Sequence, residues 1–331
     1  MYESFFGLHR NPFVMTPDPA LLFLTASHRE ALAGLNYAIL SRKGFVVLTG
    51  EAGTGKTTLL TAVLQSMPST RAQFSLILNP TLTPAEFLEM ALLDFGLSDI
   101  PVSKAQRLLR LQQFLIETHR QGRVAVLIVD EAHKLGPDLL EEIRLLTNFE
   151  TAQGKLLQIV LAGQSELGEL LNRDDLRQLK QRVAVRLSIQ PLSPPEVERY
   201  IRHRWAKAGA VIEPPFRADA ISRITAWSRG VPRVVNAICD NALLLAFGEN
   251  QATIAAHHIL EVVADLDLLG GTNGYGKPVA AAPLAPSAPP QPLTAAQPFD
   301  LPPLRTLERY LPASHKVSLW WRLAGKLGFV Q

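Results

Sequence analysis

A short glycine-rich stretch holds the residues of this sequence whose types and spacing are best suited to chemistry. Residues 50–57 read GEAGTGKT, directly behind an apolar run at 45–49 and ahead of a helix-like run at 58–64. Glycines let a backbone turn tightly and approach an anion closely. The amide N–H groups of such a loop and of the following helix N-terminus can then surround phosphate oxygens. The order strand, glycine-rich loop, helix therefore predicts a loop that binds the phosphates of a nucleotide.

Each position of this loop has an expected role in binding ATP and Mg²⁺. Lys56 is expected to reach the β- and γ-phosphates, and Thr57 to offer its hydroxyl to Mg²⁺. The other residues expected to bind the nucleotide are Gly50, Glu51, Ala52, Gly53, Thr54, Gly55 and Thr58. The alternative is a glycine-rich turn that precedes a surface lysine, and a second motif downstream argues against it.

That second motif is a pair of carboxylates at the end of an apolar run. Asp130 and Glu131 follow residues 124–129, an uninterrupted apolar run of the kind expected in a strand buried on both faces of a parallel sheet. Because parallel strands point their carboxyl ends at one crevice, the pair is expected to face the phosphates. Asp130 is predicted to hold Mg²⁺, and Glu131 to orient and deprotonate the attacking water. For such a pair standing alone, a solvated acidic turn would be the alternative.

The elements that must position these residues alternate along the first part of the chain. Strands are predicted over 45–49, 74–78, 124–129, 156–162 and 183–189, with helices between them. This alternation predicts an α/β doubly wound fold with a parallel sheet flanked by helices. The strand pattern then stops, and the following helices predict a small all-α domain. They are predicted over 196–207, 217–228, 232–247 and 255–265.

Changes in composition divide the chain into five predicted parts. Residues 1–25 are rich in phenylalanine and proline, and we expect them to pack on the α/β domain, which is predicted over 26–192. The helical domain is predicted over 193–268. Residues 269–304 are predicted to form a disordered linker, because nine prolines and many alanines lie within 271–303 without any period. A docking segment is predicted over 305–331.

Bulk composition excludes several classes of protein. The net charge is +3, but residues 271–331 hold six basic and two acidic side chains, so the main body does not resemble a basic nucleic-acid-binding domain. A single cysteine, Cys239, excludes an intramolecular disulfide framework. The sequence has neither a signal-peptide pattern nor a run of 18 apolar residues, which predicts a cytoplasmic location.

Three stretches of this sequence resemble motifs of the AAA+ ATPases. They are GEAGTGKTT, LIVDEAHKL and GVPRVVN. More narrowly, the chain resembles the ExeA-type family, also called general secretion pathway protein A, in the opening MYESFFGLHRNPFVMTPDP, in HREAL and in GFVVLTGEAGTGKTT. The resemblance covers roughly residues 1–268. It implies a P-loop ATPase domain, a helical lid and homo-oligomers linked to the nucleotide.

The same resemblance implies roles for three further residues. Gln164 matches the polar sensor 1 position, where a side-chain amide could position water or touch the γ-phosphate. Arg182 matches the arginine finger that one subunit offers its neighbour, with Arg177 and Arg186 as competitors. Arg233, in the sequence GVPR, matches sensor 2 on the lid. The alternatives are a loop glutamine and plain surface arginines.

The sequence departs from the ExeA-type family after residue 270, where that family usually continues with a membrane span and a periplasmic peptidoglycan-binding domain. On a helix, the end of this chain would instead form an apolar stripe with a basic edge, which predicts peripheral contact with the inner face of the cell membrane or docking to a protein partner. Packing back on the ATPase or disorder is the alternative. The stripe comprises Leu319, Trp320, Leu323, Leu327 and Val330, and its edge Arg322 and Lys326.

Two functions from different classes follow. The first is an ATP-driven factor that assembles an envelope, secretion or exopolysaccharide-export system. The second is an ATP-gated DNA-binding regulator similar to the MuB-like transposition ATPases, motivated by the basic and aromatic segment 199–207. A solvated lid helix with Trp205 in the core is the alternative interpretation of that segment. His133 completes a DEAH pattern, but no other helicase motif accompanies it.

Overall fold

The computed structural model describes residues 1–266 and Leu268, which fall into two compact units. The α/β unit comprises Ala26–Thr49 and Ala62–Ser188. The helical unit comprises Met1–Thr25, Gly50–Thr61 and the described chain from Ile189 onward. The phosphate loop therefore groups with the helical region, whereas the sequence analysis assigned it to the α/β domain. The predicted linker and docking segment lie outside the described residues.

A five-stranded sheet organises the α/β unit, and each of its strands was predicted. The order across the sheet is β2-β3-β6-β1-β7, and the β2/β3, β3/β6 and β1/β6 pairs are parallel. A short antiparallel hairpin, β4 with β5, precedes β6. The strands are β1 (Phe45–Gly50), β2 (Ala72–Ile77), β3 (Val124–Val129), β4 (Glu150–Thr151), β5 (Gly154–Lys155), β6 (Leu157–Gly163) and β7 (Val185–Ile189).

Burial explains why the central strands are apolar except at Gln158, whose side-chain oxygen accepts from the backbone N–H of Gly44 at 2.7 Å. Every residue of β3 and β6 is buried, as expected for strands covered by helices on both faces. Close packing also extends to the edge of the sheet, where a Cβ added to Gly34 would lie 2.5 Å from a methyl carbon of Leu187 on β7. The helices of the first 188 residues are α1 (Ala26–Leu40), α2 (Lys56–Ser66), α3 (Pro84–Asp94), α4 (Lys104–Arg120), α5 (Pro137–Leu146), α6 (Ser165–Leu170) and α7 (Arg177–Lys180).

Four helices form the rest of the helical unit, at the positions that the sequence predicts. Ser193 and Glu196 bond each other at the start of the first one, where the backbone N–H of Ser193 lies 2.9 Å from a carboxylate oxygen of Glu196. The helices are α8 (Pro194–Lys207), α9 (Ala218–Ser228), α10 (Pro232–Gly248) and α11 (Ala256–Asp265). Within the described residues, no helix is both long and apolar enough to cross a bilayer.

The N-terminal segment packs on these helices, which corrects the expectation that it would pack on the α/β domain. Phe13 is fully buried, in one apolar cluster with Trp205 of α8. The guanidinium of Arg204, also on α8, donates to the carbonyl oxygens of Pro12 at 2.6 Å and Val14 at 2.9 Å. Prolines keep this segment out of helices and sheet ladders, so its carbonyl groups need other donors. The buried Arg204 supplies them, and this determines where the segment packs.

Candidate functional site

The phosphate loop has the conformation that its glycines predict. Gly53 and Gly55 adopt φ values of 79° and 101°, in the left-handed region that glycine enters without a steric cost. Helix α2 then begins at Lys56 and places Thr57 and Thr58 in its first turn. The first backbone N–H groups of a helix have no carbonyl partner within it, so this turn is suited to binding an anion.

Bonds within the loop hold Lys56 in place. Its ammonium donates to the carbonyl oxygens of Gly50 at 2.8 Å and Glu51 at 2.9 Å, and the residue is only 5% exposed. The hydroxyl of Thr54 donates to the carbonyl of Glu51 at 2.8 Å. All three bonds are accepted by carbonyl groups at the start of the loop. They hold the charged ammonium of Lys56 against the backbone that is expected to bind phosphate.

Arg233 begins helix α10 directly against the loop, within the same unit. Its backbone N–H donates to the carbonyl of Gly53 at 3.2 Å, and a Cβ added to Gly53 would lie 2.6 Å from the Cβ of Arg233. Gly230 makes this entry possible, because its φ is 75° and a Cβ there would lie 1.9 Å from the carbonyl oxygen of Leu192. Pro232 then supplies the first residue of the helix. The GVPR sequence therefore gives the backbone a conformation that places Arg233 against the phosphate loop.

The carboxylate pair lies in the α/β unit, at the end of β3. Asp130 is 2% exposed, and its backbone N–H donates to the carbonyl of Ile77 at 2.9 Å. Its side chain accepts from the N–H of Glu131, also at 2.9 Å. Glu131 has a left-handed φ of 52°, which is uncommon for a residue with a side chain, and its carboxylate lies 3.3 Å from the ammonium of Lys134.

Gln164 is brought beside the same pair by a residue that the sequence analysis did not select. Gln164 follows β6, and its backbone N–H lies 3.4 Å from Nδ1 of His133. The Nε2 atom of His133 lies 3.2 Å from the side-chain amide of Gln164 and 3.6 Å from the carboxylate of Glu131. The DEAH pattern was the signal that could have identified His133, because it puts this residue one short turn after Glu131.

Arg182 is engaged inside its own unit. Its Nη1 lies 3.3 Å from the carbonyl of Arg144 and 2.6 Å from the side-chain oxygen of Asn148, and it also contacts the hydroxyl of Thr147. These groups lie at the C-terminal end of α5, where a cation is favoured by the helix dipole. The two competitors, Arg177 on α7 and Arg186 on β7, are both exposed.

The basic and aromatic side chains of this segment of α8 are largely engaged in contacts within the helical unit. Trp205 is 1% exposed and lies in the core. Arg202 lies 3.1 Å from the carboxylate of Glu198 and also pairs with Glu213. This arrangement agrees with the alternative interpretation, a lid-helix face with Trp205 buried.

His203 adds no positive charge to this face. Burial, together with the nearby charges of Lys207 and Arg204, lowers the pKa of His203 to about 4. The imidazole is therefore neutral at physiological pH, and contributes nothing to phosphate attraction there.

Three side chains of the helical unit have the spacing of metal ligands, namely Glu249, His257 and His258. The Nδ1 atom of His258 accepts from the N–H of Ala255 at 3.0 Å, so its Nε2 carries the proton that faces Glu249 at 3.1 Å. A metal would need the lone pair that this proton occupies. The group therefore stabilises the start of α11, and the metal ligands expected at Thr57 and Asp130 are separate from it.

Sequence comparisons agree with this architecture. The family described as "AAA domain" matches residues 39–171. General secretion pathway protein A of Aeromonas hydrophila is 43% identical over 258 residues, which are 77% of this chain and 46% of that protein. The chain thus spans less than half the length of this relative.

Solved structures share the fold at low sequence identity. The ORC2 protein of Aeropyrum pernix, solved in ADPNP–ADP complexes, is 17% identical with a TM-score of 0.59, over 77% of this chain and 71% of that one. The ORC1 protein of the same organism, solved in complex with DNA, is 18% identical with a TM-score of 0.57, over 78% and 70% of the two chains. At these identities the likeness describes the fold alone.

Proposed function

This chain belongs to the AAA+ P-loop ATPases of the ExeA type, and from that membership we propose that it hydrolyses ATP with Mg²⁺ to drive assembly of an envelope, secretion or exopolysaccharide-export system. The observation that carries the proposal is the contact of Arg233 with Gly53, because it joins a lid arginine to the loop that holds Lys56. A phosphate loop alone would fit many nucleotide-binding proteins. The added lid arginine is what an ATPase with nucleotide-dependent lid movement requires.

Each residue of the proposed site has its own role in ATP binding or hydrolysis. Lys56 exchanges its two carbonyl partners for the β- and γ-phosphates, while the loop N–H groups bind the remaining phosphate oxygens. Glu131 orients the attacking water and accepts its proton. Gln164 and Arg233 donate hydrogen bonds to the charge that develops on the γ-phosphate.

Two oxygen donors fit a magnesium ion. The hydroxyl of Thr57 and the carboxylate of Asp130 are hard ligands of the kind that Mg²⁺ prefers. This pairing rests on the sequence pattern, in which both residues follow strands predicted to be parallel. When bound, the ion neutralises charge on the phosphates.

Assembly into homo-oligomers completes the proposal. Arg182 is the residue that we propose to reach the nucleotide of a neighbouring subunit, with Arg177 and Arg186 as competitors. Such a role requires Arg182 to exchange its present contacts with the end of α5 for phosphate oxygens. Both competitors are exposed, Arg177 on α7 and Arg186 on β7.

The proposed place of work is the cytoplasmic side of the inner membrane, reached through residues 305–331. The protein partner is then a component of the envelope or export system. This part of the proposal rests on the relative's name and on the apolar, basic stripe of the C-terminal sequence.

A second candidate is an ATP-gated DNA-binding regulator. The basic and aromatic sequence of residues 199–207 motivates it. The contacts of α8 weigh against it, because Arg202 and Arg204 are bonded to carboxylates and carbonyls of their own unit.

One titration separates the two candidates. Anisotropy of a labelled DNA duplex is followed as the protein is added, with and without ATP, at about 50 and 200 mM salt. The assembly factor is expected to show weak binding that ATP does not change. Tight, ATP-dependent binding that falls about 10³-fold or more over this salt range would instead favour the DNA regulator.

A further inference from the structure

We propose that His133 is a positioning residue that links Glu131 to Gln164, so that the base and the sensor amide respond to the nucleotide together. The inference rests on the proposed ATPase function and deepens it. It concerns residues of the α/β unit alone, where their contacts form one short chain from β6 to the end of β3.

The contacts of His133 reach both residues from one ring. Nδ1 lies 3.4 Å from the backbone nitrogen of Gln164, and Nε2 lies 3.2 Å from its side-chain amide. The same Nε2 lies 3.6 Å from a carboxylate oxygen of Glu131. The side chain of His133 is only 13% exposed, so water competes little for these contacts.

The proton arrangement of the ring follows from its neighbours. A backbone N–H can only donate, so the Nδ1 that faces Gln164 must supply a lone pair, and Nε2 carries the proton of the neutral ring. The amide nitrogen of Gln164 lies 3.2 Å from this protonated Nε2, and two N–H donors cannot bond each other, so we assign the flipped amide, with its oxygen facing the ring. The NH₂ group of Gln164 is then turned away from the ring and free to donate to a phosphate oxygen.

The backbone conformation around His133 restricts the positions that its ring can take. Glu131 holds a left-handed φ of 52°, a conformation that persists only where surrounding contacts impose it. A Cβ added to Gly163, at the end of β6, would lie 3.1 Å from the backbone nitrogen of His133. Glycine at 163 therefore lets the turn after Glu131 approach β6 closely enough for His133 to reach Gln164.

As a consequence, a change in the position of the Gln164 amide also affects the position of the Glu131 carboxylate. When the NH₂ of Gln164 donates to a phosphate, its oxygen stays on the ring, and the ring stays beside the carboxylate. Without His133, the amide could rotate freely and the carboxylate would keep only Lys134 as a close charged neighbour.

One substitution and a matched control test this link first. His133→Ala is expected to lower kcat about 10- to 100-fold, the range found when a group that orients a reactive residue is removed. The affinity for a fluorescent ATP analogue should stay within about 2-fold, since the phosphate loop is untouched. His119→Ala is the matched control, because His119 is a half-buried histidine of α4 that also contacts a glutamine, Gln153, at 3.1 Å.

Rescue distinguishes positioning from simple packing. Glutamine places its amide nitrogen where Nε2 lies, whereas asparagine reaches only the position of Nδ1. His133→Gln should therefore recover most of kcat, and His133→Asn should not. Rescue by asparagine and not by glutamine would overturn the proposal, since it would show that only the backbone contact of Nδ1 matters.

A double-mutant cycle measures the coupling itself. If His133 acts through Gln164, adding His133→Ala to Gln164→Ala should lower kcat by less than about 2-fold more, because the coupled contact is already lost. Full multiplication of the two effects would overturn the link. Should His133→Ala lose its cooperative melting transition, His133→Leu, which keeps the bulk, takes its place in the cycle.

The proposed function and this inference fail in different ways. Absence of ATP hydrolysis by the wild-type protein would remove the ATPase proposal itself. Hydrolysis by wild type with an unchanged kcat for His133→Ala would remove only the role of His133.

Discussion

At the residue scale, we propose separate roles for Lys56 in binding and Glu131 in turnover. Lys56 bonds two carbonyls of its own loop, and in the proposed role it also supplies the charge for phosphate. Glu131 belongs to the other unit and has no part in the loop. Their substitutions should therefore fail at different steps.

We expect Lys56→Ala to abolish binding of ATP, and Glu131→Gln to keep binding but to slow hydrolysis at least 10²-fold, since glutamine cannot accept the proton. Binding is measured with a fluorescent ATP analogue, and turnover by phosphate release. Lys43→Ala removes a lysine that lies over the ring of Tyr37 and serves as the control. Turnover by Glu131→Gln at the wild-type rate would exclude Glu131 as the base.

At the scale of elements, most of the architecture could be predicted and the contacts between distant segments could not. Strand β3 is an unbroken apolar run, and α8 to α11 follow clear helical patterns, so local sequence was sufficient. Residues 1–25 pack on the helical unit through Arg204, which lies about 190 residues later in the chain. From the sequence alone, Arg204 would be taken for an exposed charged residue. The link through His133 was missed for the same reason, because β6 and the end of β3 meet only in the folded sheet.

Arg204 should contribute far more to stability than its neighbour Arg202. Arg204→Ala leaves the carbonyls of Pro12 and Val14 without their donor, at a cost of roughly 1–3 kcal/mol for a buried group. Arg202→Ala removes exposed ion pairs, which contribute about 0–1 kcal/mol. Urea denaturation of both variants checks the difference. Equal stability would show that the N-terminal segment does not depend on Arg204.

Gly230 should control where α10 begins. Gly230→Ala needs a left-handed backbone and space already taken by the carbonyl of Leu192, so it is expected to destabilise the helical unit by about 1–3 kcal/mol and to weaken ATP binding through Arg233. Gly248→Ala, at the end of the same helix, meets no atom within 4 Å and should be close to neutral. Thermal melting and nucleotide titration compare the pair, and similar behaviour of the two variants would contradict the role of Gly230.

At the scale of the whole molecule, the proposed homo-oligomer leads to a prediction for Arg182. We expect Arg182→Ala to leave ATP affinity largely intact and to reduce hydrolysis about 10³-fold or more, as for arginines that act on a neighbour's nucleotide. Mixing it with Lys56→Ala should restore part of the activity if the two residues act in different subunits. No rescue, with specific activity independent of protein concentration, would argue against an active oligomer.

The sequence of residues 305–331 predicts a further property of the full-length protein. Its apolar stripe and basic edge should bring the protein to anionic liposomes at low salt, where polybasic segments bind most strongly. A version ending at Gly270 should remain in solution in the same flotation assay. If both versions stay in solution, a protein partner becomes the expected occupant of this segment.

The interleaving of residues 1–25 with α8 and α10 has a consequence for how the chain is made. Tyr2 bonds Asp240, so this aromatic residue is synthesised before a partner that lies 238 positions later. At about 5–20 residues per second, that delay lasts on the order of 10–50 s. During this time Phe6 and Phe13 have no native cavity to fill. The nascent chain is therefore expected to need the protection of a chaperone at its very beginning, long before its ATPase domain is complete.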